Sequence, residues 1–409
     1  LALRRDGSSR FGSNNRWGNF PSVSAGWVFS DESFLENADF LSFGKIRASY
    51  GVIGNNNIGN YTQYALVDNS INAVFGNTVA SGAAVTTLGN ANLGWERTKQ
   101  FDIGLDLRFF NNRVEFIYDY YKKNTTDLLF NVAIPQESGF SNFNDNVGEI
   151  EFWGHEFAIV SRNVANDNFT WNTNFNIAFN RNKVVALAEG VDRIFSPGGN
   201  YTSITRAGEP LGQFWGLIHD GVYDNQAEFD SSPRAVESEV GTIKFADVNG
   251  DGVITFGNEN DDRTVIGNPF PDYIFGITND FKYKNWDASV VISGSVGNDI
   301  AVTTDQGLTN LDGVFNVLRD VQDRWRSPEN PGSGRYGKTT SATFMERDWF
   351  SSRFIEDGSH LTVKNITVGY NFPVKEDGLL QRARVYASVQ QAFVFTKYRG
   401  SNPEISTTT

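Results

Sequence analysis

Phe101-Asp102-Ile103-Gly104-Leu105-Asp106-Leu107-Arg108-Phe109 is the stretch that decides the fold. Side chains alternate across a strand, so Phe101, Ile103, Leu105, Leu107 and Phe109 share one face and Asp102, Gly104, Asp106 and Arg108 share the other. Phe169-Thr170-Trp171-Asn172-Thr173-Asn174-Phe175-Asn176-Ile177-Ala178-Phe179 repeats the pattern, with asparagine on much of its polar face. A soluble sandwich alternates in the same way, so alternation alone does not separate the two architectures. Strand length, the residues at strand ends and the connections do. Strands of about 9–11 residues with aromatic ends, joined alternately by tight turns and long loops, describe an outer-membrane barrel.

Outward from these segments, candidate strands fall at Leu1–Asp6, Ser22–Phe29, Phe43–Gly51, Trp95–Phe109, Arg113–Lys122, Trp153–Arg162, Phe169–Arg181, Asp272–Tyr283, Trp286–Val296, Ser359–Phe372 and Arg382–Val394. Short connections (Ser30–Ser42, Phe110–Asn112, Asn163–Asn168, Lys284–Asn285, Pro373–Gln381) alternate with long ones (Gly7–Pro21, Val52–Gly94, Lys123–Phe152, Asn182–Pro271, Gly297–Gly358). Long structureless loops count against a compact soluble domain, whereas a barrel carries them on its extracellular side. Phe109-Phe110, Tyr283 with Trp286, and Tyr370 with Phe372 stand beside short turns. Tyr118, Tyr120 and Tyr121 stand towards the far end of their strand. Such aromatics are expected to form interfacial girdles. The reading is all-β: a transmembrane antiparallel β-barrel, partial at about eleven strands, with long extracellular loops. Leu311, Val314, Phe315, Leu318, Val321, Gln322 and Trp325 have helical spacing and predict one short amphipathic helix in the last long loop.

Composition agrees. The 409 residues include 34 Phe, 14 Tyr and 9 Trp, yet only 39% are hydrophobic, and no run approaches the roughly 18 apolar residues of a membrane helix. Net charge is −13 and no basic footprint is visible, which argues against nucleic acid as a partner. Cysteine is absent, so neither disulfides nor thiolate metal sites arise. The strand count is odd and the chain begins without a signal peptide, so residues 1–409 are expected to be the C-terminal part of one barrel, lacking its beginning and a final strand.

The strongest local motif is Asp247-Val248-Asn249-Gly250-Asp251-Gly252-Val253-Ile254-Thr255. Oxygen side chains at Asp247, Asn249 and Asp251, a glycine at Gly252 and the Val253 carbonyl match the first half of an EF-hand-type loop, and all-oxygen ligation suits Ca²⁺. Asn258 stands where the closing acid belongs, so Glu259, Asp261 or Asp262 would have to close a longer loop. A surface cluster of Asx turns is the competing reading. No catalytic constellation is visible: His155, His219 and His360 are scattered, and neither HExxH nor GxSxG occurs. Phe214-Trp215-Gly216 with Tyr223 could stack on a sugar or pack a loop core, with packing preferred. Asn172, Asn174, Asn176, Asp102 and Asp106 are read first as ordinary lumen-facing groups of the polar wall, with contact to a transported molecule as the alternative.

A set of motifs spread through the chain carries a resemblance. Arg4-Arg5-Asp6-Gly7-Ser8-Ser9-Arg10-Phe11-Gly12, Phe20 to Trp27, Ile46-Arg47-Ala48-Ser49-Tyr50-Gly51, Gly54-Asn55-Asn56, Leu93-Gly94-Trp95-Glu96, Gly212-Gln213-Phe214-Trp215-Gly216, Asp247 to Gly252, Arg263 to Pro269 and Gly369-Tyr370-Asn371-Phe372-Pro373 resemble the SusC/RagA family of TonB-dependent outer-membrane transporters of Bacteroidetes-type bacteria. The resemblance implies a barrel of about twenty-two strands with an N-terminal plug, of which this chain holds roughly the eleventh to the twenty-first. It also implies TonB-energised import of a bulky nutrient, oligosaccharide before peptide, in the outer membrane and without enzymatic chemistry. A SusD-like surface lipoprotein would act as a lid, TonB would engage through the missing N-terminal region, and transporter–lipoprotein pairs could dimerise. The alternatives are an outer-membrane scaffold and a secreted calcium-dependent β protein.

Overall fold

The computed structural model describes residues 1–134, 136–140, 142–197, 201–257, 261–311, 316–339, 345, 348–373 and 380–404. Eleven strands pair side by side in chain order. They are β1 Ala2–Gly7, β2 Trp17–Val28, β3 Leu41–Asn55, β4 Glu96–Phe109, β5 Val114–Thr126, β6 Glu149–Ala165, β7 Phe169–Ala186, β8 Tyr273–Tyr283, β9 Trp286–Val296, β10 His360–Phe372 and β11 Ala383–Thr396. Each coincides with an expected strand, and β2, β3, β5, β6 and β7 are longer than expected by a few residues. No helix among the described residues is long and apolar enough to cross a membrane.

The chain divides into two compact units. The first comprises Leu1–Asp192, Arg206–Glu209 and Asn279–Lys284. Its antiparallel register puts Trp27, Ile46, Leu105, Tyr118, Phe157 and Ile177 in one row across six strands. One residue further along, Gly26, Arg47, Gly104, Asp119, Glu156 and Ala178 form the row on the opposite face. One apolar and one polar face result, as a lipid-facing wall requires. On β4 the apolar face runs from Phe101 to Phe109, about 27 Å at about 3.4 Å per residue, close to the height of a membrane band once tilted. Tyr50, Phe101, Lys122, Trp153 and Arg181 form the row at one end of that band. Amphipathic and snorkelling side chains are favoured there, and Lys122 pairs with Glu151 at 2.8 Å. Within the band the Tyr118 hydroxyl and His155 Nδ1 satisfy one another at 2.9 Å. At the other end, Phe40 stacks on Phe109 at 6.3 Å beside the turn Phe110–Asn112. All three turn residues have φ of 55–60°, a conformation that asparagine tolerates well. Tyr121 departs from the expected girdle: its register places it on the polar face, with Asp102 and Gly154.

The second unit comprises Arg193–Thr205, Pro210–Thr278 and Asn285–Thr409. Here Trp286, Tyr370 and Val385 form an apolar row, and Asp287, Gly369 and Tyr386 a polar one. Trp286 meets Tyr370 edge-on at 4.9 Å and Tyr370 meets Phe372 at 5.1 Å, all beside short turns as expected.

The long loops have structure of their own. Phe11, Phe20, Leu93 and Trp95 form a buried cluster, so Leu93-Gly94-Trp95 is a packing motif that anchors a loop at the end of β4. In the second unit Leu217, Val222, Ile243, Phe245 and Ile254 join Met345 from another loop in a core bordered by Trp325 and Trp349. Short helices include Gln226–Ser231 and Thr304–Leu308. The amphipathic helix expected over Leu311–Trp325 is not formed among the described residues. Leu318 is extended (φ −63°, ψ 151°) and only a 3₁₀ turn at Arg319–Asp323 follows; Val314 and Phe315 lie outside the described residues. Among the described residues of that spacing, Leu311 and Val321 pack with Tyr336, Trp325 borders the Leu217 core and Leu318 is exposed.

Candidate functional site

The polar wall of the first unit is built from alternate residues of β3 to β7. Arg47 reaches across β4 to Asp119 on β5, with Nη1 to Oδ1 and Nη2 to Oδ2 both 2.7 Å, and its Nε lies 3.2 Å from Asp106 Oδ2. A bidentate guanidinium–carboxylate pair is the geometry arginine favours. The path passes over Gly104, where a Cβ would stand 2.4 Å from Arg47 Cζ. Asp102 accepts from Ser49 Oγ at 3.1 Å and Gln100 Nε2 at 2.8 Å. Asn172, Asn174 and Asn176 follow on β7, exposed and on the same face. Sequence reasoning found the wall but not the Arg47 bridge. A glycine inside a strand of the pattern, Gly104, is the signal that could have pointed to it, since it marks close approach.

In the second unit Trp215 and Tyr223 are buried, at 8% and 1% exposure. Trp215 packs against Phe195 with centroids 6.1 Å apart, and Tyr223 donates to the Pro233 carbonyl at 2.7 Å. Burial removes both from a sugar-stacking role. They are core of the loop, because the Gln213–Gly216 strand is covered along its whole length.

The Asp247 loop curls on itself. Asp247 accepts from Gly250 N at 2.7 Å and Gly252 N at 2.9 Å, Asn249 from Asp251 N at 3.0 Å, and Asp251 from Val253 N at 2.9 Å. These amide donors, Gly252 first, hold the Asp247 carboxyl below its ordinary range. Asp262 is fully buried and closes the loop, accepting from Val248 N at 3.0 Å and Thr255 N at 2.7 Å. Asp261 instead turns to Gly257 N and Arg263 Nε, both at 2.6 Å. Asn258 and Glu259 lie outside the described residues. The donor set is oxygen throughout and suits a hard cation in kind. In this arrangement the carboxylates face backbone amides, and among the described residues no three metal-binding side chains gather tightly enough to cage an ion.

The comparisons with known proteins bear on what the wall belongs to. A family model described as TonB dependent receptor-like, beta-barrel, matches residues 1–390. TonB-dependent receptor P3 of Formosa agariphila is 39% identical across 99% of this chain and 40% of its own length. TonB-dependent receptor SusC of Bacteroides thetaiotaomicron is 31% identical, across 99% of this chain and 39% of its own. The RagAB peptide transporter superposes with a TM-score of 0.83 at 26% identity, covering 98% of this chain and 42% of that one. The chain thus spans about two fifths of the length of the relatives it matches. With paired strands, opposed faces and these matches in agreement, the chain belongs to the TonB-dependent receptor β-barrel family, in its SusC/RagA branch.

Proposed function

We propose that this chain forms part of the barrel of an active outer-membrane importer that draws a bulky nutrient past the polar wall of β3 to β7. The observation that carries the reading is the register itself: one face of the wall is apolar enough for lipid, and the other is lined by carboxylates, amides and two-strand ion bridges. Oligosaccharide is the preferred cargo over peptide, because the wall offers side-chain amides and carboxylates rather than an unpaired strand edge on which a peptide backbone could add. Energy would come through TonB, and a SusD-like lipoprotein would cover the mouth. Transporter–lipoprotein pairs could assemble as dimers. Uptake of labelled oligosaccharides by cells with and without the full-length gene tests this. Uptake should vanish with the gene and with a protonophore; uptake indifferent to both would remove the reading.

We also propose that the Asp247 loop takes a structural Ca²⁺. Asp247, Asn249 and Asp251 side chains, the Val253 carbonyl and Asp262 would hold it. The buried Asp262 carboxylate, already inside the loop, is the observation in favour. Its Oδ1 accepts from both Val248 N and Asn249 N, while Oδ2, which accepts from Thr255 N, keeps a further lone pair for an ion.

A further inference from the structure

The polar wall of the first unit contains a hollow that none of the foregoing readings uses. It has a volume of about 390 Å³ and opens between β4, β5, β6 and β7. That size lies within the range of small-molecule sites. Tyr121 is the one aromatic residue among those that line it. The Tyr121 ring lies against Gly154, where a Cβ would stand 2.8 Å from ring carbon Cε1 and 2.8 Å from Asn180 Oδ1. The glycine therefore lets an aromatic ring occupy a wall that is otherwise polar. Tyr121 is fixed there, because its hydroxyl donates to Asn180 Oδ1 at 2.7 Å.

Around the ring the hydrogen-bonding groups are mixed. Asp102, Asp119 and Glu156 are acceptors; the amides of Gln100 and Asn180 provide both kinds of group. Lys123 Nζ stands 5.3 Å from the centre of the Tyr121 ring. Asp119 is already engaged by Arg47, whereas Glu156 forms no ion pair among the described residues. Two carboxylates outside ion pairs, Asp102 and Glu156, thus face a single ammonium, Lys123. An anionic ligand would meet net repulsion at short range, in a hollow where the charges are only partly screened. An apolar side chain would find no greasy pocket. A ring with a C–H face and vicinal hydroxyls would find the Tyr121 ring and acceptors set around it.

We propose that this hollow is a subsite for a neutral sugar unit of the cargo, with Tyr121 as the stacking platform and Asp102, Glu156 and Asn180 as hydroxyl partners. The proposal rests on the importer reading and narrows it: neutral glycans pass, while sulfated or uronate-rich ones are disfavoured at this point of the wall.

The test uses cells carrying the full-length protein and three fluorescent probe pools: neutral malto-, xylo- and laminari-hexaoses, their sulfated derivatives, and hexapeptides. Outer-membrane level and heat-modifiable migration confirm folding of each variant. The neutral pool should enter. Tyr121→Ala should weaken its apparent affinity about tenfold, which corresponds to about 1.4 kcal/mol. Tyr121→Phe, which keeps the ring and loses one hydrogen bond, should cost about threefold. Glu156→Gln, which leaves the ring untouched, should raise entry of the sulfated pool. Entry of the neutral pool unaffected by Tyr121→Ala, or preference for the sulfated or peptide pool, would overturn the subsite and leave the importer standing. Entry of none of the three pools, with or without a protonophore, would overturn the importer reading itself.

Discussion

Arg47 shows how much one missing side chain can decide. Its guanidinium ties β3 to β5 only because Gly104 leaves the intervening strand bare. Gly104→Ala should displace it and cost about 1–3 kcal/mol, the scale of an overpacked site. Unfolding of the full-length protein from lipid vesicles measures this. In an Arg47→Ala background the same glycine change should cost almost nothing, since the coupled partner is gone. His219, in a surface loop, is a second case. Burial, with the charges of Arg353 and Arg335 behind it, lowers its pKa to about 4. Its folded value lies below the unfolded value of about 6.5, so its contribution to stability is complete above about 6.5 and is lost as pH falls towards 4. Protection factors over Leu217–Val222, taken relative to intrinsic exchange at each pH, should therefore fall between pH 7 and pH 4.5, and His219→Gln should flatten that dependence. Asp299 and Asp305, whose carboxyls burial pushes up, act in the opposite sense and would be relieved by acid.

At the scale of the element, the eleven strands were legible because a period of two is a strong signal and each strand must keep one face for lipid. Leu105→Arg, at the middle of the apolar row, should cost about 2–4 kcal/mol, whereas Asn174→Arg on the polar face should stay within about 0.5 kcal/mol. The same vesicle unfolding measurement compares them. The loops were less legible. Trp215 and Tyr223 look like any exposed aromatic pair in sequence, and only the fold reveals that they are buried. The spacing over Leu311–Trp325 fitted a helix because Leu311, Val321 and Trp325, which belong to two separate clusters, happen to fall at helical intervals. Arg47 and the Tyr121 hollow stayed hidden because they join residues from several strands, and no single window contains them. The Asp247 loop was visible as a motif, whereas the burial of Asp262 against its backbone amides was not. With Ca²⁺ bound, the proposal gives a testable consequence: a chelator should speed proteolysis within residues 247–262, and Asp262→Asn should do so without a chelator.

At the scale of the whole molecule, loop cores matter as much as strands. Phe245→Ala should leave a cavity costing about 3–5 kcal/mol locally, and amide exchange should rise together at Leu217–Val222 and around Trp349. A rise confined to one segment would mean that the two insertions are independent. The fold class, strand order and polar wall follow from alternation repeated eleven times, whereas the sugar contacts proposed above depend on a few cross-strand neighbours that alternation does not specify.

The shared Leu217–Met345 core also has a consequence for engineering and for evolutionary exchange. A chimera that imports only the segment between β7 and β8 from a cousin would inherit half a jigsaw, with Met345, Trp325 and Trp349 facing mismatched counterparts. Transplants should succeed only when that segment and the one between β9 and β10 travel as a matched pair.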